Sequence, residues 1–188
     1  MIGLGQSFKT IKEYSFESDL LFLTQFYLSD KSIAGSEFRI YHNRSFGLPC
    51  LIIPFGKIND LREFLLKSRD KFYEWDSVRV ANGIKEMKKN IDKFGSAIRA
   101  IGDDYGVFYG LVSLETNYIA LESGRSVMQL YFYVCDEHCV RSDVFSTYVV
   151  ISDNHKANEA FQKFLDDLNI EFYQEELKKI NNKGSLFK

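Results

Sequence analysis

Twice along the chain a β-like run gives way to a helical one. Residues 145–151 are β-branched and aromatic, and Ser152, Asp153, Asn154 and His155 then supply capping side chains. Ala157, Ala160, Phe161, Phe164, Leu165 and Leu168 follow at steps of three and four with one neighbour pair in each cluster. This order predicts a strand, a helix start and an amphipathic helix. Residues 51–55 echo the run, and Leu61, Phe64, Leu65 and Phe72 echo the stripe. Here Asn59 is the expected N-cap and Ile58 a hydrophobic staple.

Other stretches fill in the order. Residues 19–28 are almost wholly apolar and suit a buried strand. Residues 37–42 alternate, with Phe38, Ile40 and His42 on one face and Glu37, Arg39 and Tyr41 on the other. Pro49 and Pro54 cannot donate to a ladder, so the strand between them is short or at an edge. Ile84, Met87, Ile91, Phe94, Ile98 and Ile101 fall at alternating steps of three and four, which predicts a long helix over 84–101. Strands are then expected over 105–115, 118–122, 126–135 and 144–151. Their turns fall at Thr116-Asn117, at Ser123-Gly124 and across 136–143. The closing helix of 155–168 is followed by a second helical piece over 171–180, past a kink near Asn169.

Strands, helix, helix, strands, helix is an α+β order, not a doubly wound one. The expected fold is antiparallel sheets packed by amphipathic helices, in a degenerate strand-strand-strand-helix repeat. Its parts are a first strand–helix unit over 1–75, a connecting amphipathic helix over 76–102 and a second unit over 103–188, all in one compact domain.

Composition narrows the class. With 188 residues, 45% of them hydrophobic, and only two prolines, the chain can bury a real core. A net charge of −2 argues against a strongly basic nucleic-acid binder but leaves room for a local basic face. Three cysteines, Cys50, Cys135 and Cys139, are an odd number, which points to a reducing, cytoplasmic setting. Residues 1–9 hold no apolar h-region of signal length, and no stretch approaches the ~18 consecutive apolar residues of a membrane span, so no membrane partner is expected.

Chemistry-bearing clusters are few. Cys135, His138 and Cys139 form one local group without the second ligand pair of a four-coordinate site, so a turn between strands is expected and no metal. His42, His138 and His155 stand in no catalytic motif. No cofactor and no catalytic residue is expected, and the chain reads as a non-enzymatic binding protein.

The strand faces supply the binding candidates. Met128, Leu130, Phe132 and Val134 point one way, and Gln129, Tyr131 and Tyr133 the other. Tyr148, and Tyr41 beside Arg39, sit likewise opposite apolar neighbours, with Arg44 close by in sequence. Tyrosine suits a half-wet surface. Such a face could stack bases or meet another protein. The competing reading is that these are strand-forming residues whose face is closed by a second sheet or a loop. The polar side of the 84–101 helix carries Lys85, Lys88, Lys89, Lys93 and Arg99 against Glu86 and Asp92, a basic patch suited to phosphate.

Residues 51–67, LIIPFGKINDLREFLLK, resemble the last strand and helix of a PUR repeat. That family, with the related Whirly-type proteins, is built from repeated strands followed by a helix and binds single-stranded nucleic acid. The resemblance implies that a curved sheet is the binding surface. It makes Arg39, Tyr41, Arg44 and Phe46 candidate contacts by position. Two partners are therefore expected: single-stranded nucleic acid on the tyrosine face, or a protein, as for an immunity, inhibitor or assembly module. The latter would use the same face or the 84–101 helix, whose a/d stripe would also make a homo-oligomer seam.

Overall fold

The protein, as a computed structural model, is described over residues 7–16, 19–27, 33–41, 50–95, 98–101, 110–135 and 141–185. Among these residues nine strands form one sheet in which every neighbouring pair is antiparallel. β1 (Ser7–Phe16), β2 (Asp19–Tyr27), β3 (Ile33–Tyr41) and β4 (Cys50–Pro54) run as a meander. β4 pairs β6 (Ile98–Ile101), and β6 leads through β7 (Gly110–Ala120) and β8 (Ser126–Cys135) to β9 (Arg141–Ile151). β5 (Met87–Lys93) lies off this path, beside the half of β7 that β6 leaves open. A 3-10 turn, Phe55–Lys57, precedes α1 (Ile58–Asn82), while α2 (His155–Asp167) and α3 (Ile170–Ser185) end the chain. This is the expected α+β fold of antiparallel strands packed by amphipathic helices.

Each helix follows from its sequence. In α1 the buried Ile58, Leu61, Leu65 and Phe72 hold one stripe against the sheet. Gly83 ends it in the left-handed region, at φ +63°, with its N–H donating to the Val80 carbonyl at 3.3 Å. In α2, Asn154 Oδ1 accepts from the Ala157 N–H at 3.1 Å, and Phe161, Phe164 and Leu165 are buried. Asn169 Oδ1 accepts from the Phe172 N–H at 2.8 Å, so the expected kink is the N-cap of α3.

α2 packs on both β1 and β9, the two ends of the sheet path. On one side the rings of Tyr14 and Phe164 meet at 5.3 Å and those of Phe16 and Phe161 at 6.3 Å. Lys12 and Tyr14 both donate to Asp167 Oδ2. On the other side the Asn158 amide bonds the Ile151 N–H at 2.8 Å and the Ile151 carbonyl at 2.9 Å. The sheet therefore curls until one helix ties its two ends.

Several expectations are corrected. The 84–101 helix does not form: α1 runs on through residues 76–82, and of the apolar positions beyond it Met87 and Ile91 lie in β5, Ile98 and Ile101 in β6, and Ile84 and Phe94 just outside β5. The four-residue step from Met87 to Ile91 suits either period. Of the three-residue steps, 84 to 87 enters β5 from the preceding loop, 91 to 94 leaves it, and 98 to 101 spans the short β6. A bulge at Ile91 further hides the strand's period of two. The connecting helix of 76–102, the dimer seam and the helical lysine face therefore all fall away, and with them the homo-oligomer's only support. The turn at Thr116-Asn117 is also absent: both residues are buried in the middle of one long strand, β7. The first helix begins at Ile58 instead of after an Asn59 cap, and Lys57 at the N-cap caps no backbone N–H, its Nζ donating instead to Asp60 Oδ2 at 2.8 Å. The 136–140 turn with its Cys–His cluster, Arg44 and Phe46 lie outside the described residues.

Candidate functional site

The register of β5, β7, β8 and β9 builds one face residue by residue. Asn90 lies opposite Asn117, Asn117 opposite Gln129, and Gln129 opposite Tyr148. Paired residues on neighbouring strands share a face, so these four form a row straight across four strands. The amides are chained: Asn90 Nδ2 donates to Asn117 Oδ1 at 3.2 Å, and Asn117 Nδ2 donates to Gln129 Oε1 at 3.4 Å. Asn117 and Gln129 are each only 7% exposed, yet Tyr148 at the end of the row is 38% exposed. In the next row Lys93, Glu115, Tyr131 and Ser146 are register partners. Lys88 Nζ stands 5.9 Å from the centre of the Tyr131 ring. The result is a polar floor of fixed amides flanked by two tyrosines and a lysine.

The opposite face is closed by α1 and carries a different polar group. Asp76 Oδ1 accepts from Arg79 Nε at 2.8 Å, from Tyr118 OH at 3.1 Å and from Ser126 Oγ. Burial pushes the Asp76 carboxyl up, but the bonds from Ser126 and Arg79 and the guanidinium charge outweigh it and hold the group below its ordinary value. Burial, and then the nearby Asp76 charge, push the Tyr118 hydroxyl up. Ser68 and Thr116 share a hydroxyl hydrogen bond of 2.8 Å beside this cluster. With Ser126 fully buried and Arg79 nearly so, the group fastens α1 to the β7–β8 hairpin and offers nothing to a ligand.

Of the residues expected to bind, the structure brings Tyr131, Tyr148 and Lys88 together. Tyr133 follows in β8, opposite Ser113 and Val144. Lys89 goes elsewhere: it pairs in register with Tyr118, and its Nζ lies 4.3 Å from the centre of the Trp75 ring on the α1 side. Lys85 is exposed in the segment leading into β5. Arg39 and Tyr41 lie in β3, opposite Phe22 and Leu20, and three strands separate β3 from β8 in the sheet order. The three residues of the amide row and Trp75 were missing from the candidate set. Gln129 was legible as a neighbour of the tyrosines, but Asn90 was hidden by the helical reading of 84–101 and Asn117 by the turn reading.

Comparison with known proteins finds no matching family model, no matching curated protein and no matching solved structure. Among the described residues no group of histidine, cysteine, aspartate and glutamate has the geometry to hold a metal ion. No helix there is long and apolar enough to cross a membrane. A cleft of about 500 Å³ lies between α1 and α2, lined by Arg69, Tyr73, His155 and Glu159 among others. Its polar groups are engaged with one another: Arg69 with Asp70 and Gln162, His155 with Glu159, and Asn158 with the Ile151 backbone.

Proposed function

We propose that the protein is a non-enzymatic binding protein that takes single-stranded nucleic acid on the outer face of β5, β7, β8 and β9. The observation that carries this reading is the pair Tyr131 and Tyr148 flanking the Asn90–Asn117–Gln129 row, with Lys88 over Tyr131. The exposed Tyr148 ring and the half-buried Tyr131 ring can stack bases without regard to their identity, the exposed Asn90 amide at the end of the row offers hydrogen bonds to base edges, and lysine meets phosphate. The resemblance of residues 51–67 to a PUR repeat points the same way. A cytoplasmic site of action belongs to this reading and rests on the odd cysteine count.

A labelled oligothymidylate titrated by fluorescence anisotropy at a low and a high salt concentration tests it. Binding at low salt that weakens as salt rises is expected. An oligomer series of all four bases that shows no binding at low salt sinks the reading. A protein partner on the same face is the second reading, favoured by the exposure of Tyr148, since tyrosine is enriched at protein interfaces.

A further inference from the structure

Adjacent residues of a strand point to opposite faces, so Lys88 and Lys89 straddle β5. Each lies over an aromatic ring, Lys88 over Tyr131 at 5.9 Å and Lys89 over Trp75 at 4.3 Å. Among the described residues no strand pairs the other edge of β5. Lys85, Lys88 and Lys89 are all exposed, and within the same set none makes an ion pair. Three cations against one acid, Glu86, in five residues thus line an unpaired edge of a chain whose net charge is −2. A second copy paired along that edge would set lysines against lysines. The charge instead complements a polyanion.

Trp75 gives the α1 side its own flat surface. Tyr118 packs edge-on to the indole at 6.0 Å, while Lys71 and Lys89 are the cations over it. Lys71 is bound to Glu74, which leaves Lys89 as the cation that can turn away. A cation over a partly exposed ring is a weaker contact than a stacked base, so a base can take the ring while the lysine moves to a phosphate.

We infer that a bound single strand does not stop at the tyrosine face but wraps over the β5 edge, its phosphates on Lys85, Lys88 and Lys89 and one of its bases on Trp75. This rests on the nucleic-acid reading above and adds a second stacking site, on the opposite side of the sheet, and the path that joins the two.

Trp75 is the chain's one tryptophan, so its emission reports this site alone. The full chain is titrated with oligothymidylates of increasing length, and anisotropy of the labelled oligomer and Trp75 fluorescence are followed together. The expected result is that oligomers long enough to cross the edge quench Trp75 and shield it from acrylamide at the same concentrations that raise anisotropy. Shorter ones bind with Trp75 unchanged. Lys89→Ala is expected to weaken long oligomers several-fold more than short ones. Anisotropy that saturates at every length while Trp75 keeps its emission and acrylamide access overturns the wrapped path and leaves the tyrosine face standing. No binding at any length overturns both.

Discussion

Tyr118 and Tyr148 are strand tyrosines on the two faces of the same sheet, and their surroundings differ in every respect. Tyr118 is fully buried, its ring 5.5 Å from Phe72 and 6.0 Å from Trp75, with its hydroxyl on Asp76. Tyr148 is 38% exposed at the end of a row of amides. The first is surrounded by apolar mass and has its polar tip satisfied, so its free energy is spent on the fold. The second leaves ring area in water, where a ligand can cover it. Residue type does not separate the two roles; the cover supplied by α1 does.

Removing that cover should give the largest effect. Phe72 is fully buried between α1 and Tyr118. Phe72→Ala is expected to cost about 3–5 kcal/mol, combining lost transfer energy with an unfilled cavity. Chemical denaturation read by circular dichroism checks it. A loss of only about 0.5 kcal/mol, the size of an ordinary surface change, would mean that α1 does not close this face.

Asp76 should come next. Replacing it with asparagine removes the charge that faces Arg79 and weakens the bonds from Tyr118 and Ser126, at an expected cost of about 2–3 kcal/mol. The cost should depend on pH with a defined sign. Because the folded-state pKa lies below the ordinary value, the carboxylate's contribution is complete above the unfolded pKa of about 3.9. It drains away as pH falls through the folded value. The gap between wild type and Asp76→Asn should therefore be full at neutral pH and narrow below about pH 4. Parallel denaturation curves at several pH values measure it, and a gap that widens on acidification contradicts the assignment.

The exposed face should respond in the opposite currency. Tyr148→Ala is expected to shift stability by no more than about 0.5 kcal/mol, as for a surface residue. It should weaken single-strand binding by about 1–3 kcal/mol, the worth of one stacked base. Thermal melting and anisotropy on the same sample separate the two. A variant that loses stability and keeps affinity would move Tyr148 to the structural side of the comparison.

How far these two faces were legible in the sequence depends on the strand. In β8 the period of two is unbroken, so Met128, Leu130 and Phe132 sort by face from Gln129 and Tyr131, although Gln129 is itself buried. The α2 helix was legible for the same kind of reason, with Asn154 as its cap and a phenylalanine–leucine stripe behind it. β5 was not, because Met87 and Ile91 fit a helical step and the bulge at Ile91 erases the alternation. Asn117 read as a turn because its polarity is compensated only by Asn90 and Gln129, which are distant in sequence and adjacent in the sheet. Arg39 and Tyr41 joined the candidate set by alternation alone, and nothing in a local pattern reveals that three strands would stand between them and β8.

The smallest expected effect is the most specific to the proposed ligand. Lys88 is exposed and touches the site only through its charge over Tyr131. If it meets a phosphate, Lys88→Ala removes one released counterion. The slope of log affinity against log salt should then fall by about 0.7, with a modest loss of affinity at low salt. If Lys88 only guards an open strand edge against self-pairing, as edge lysines do, the slope should stay as it is and the variant should instead aggregate more readily. The salt series decides between these, because loss of a purely protective charge leaves the electrostatics of binding untouched, whereas loss of a phosphate contact cannot.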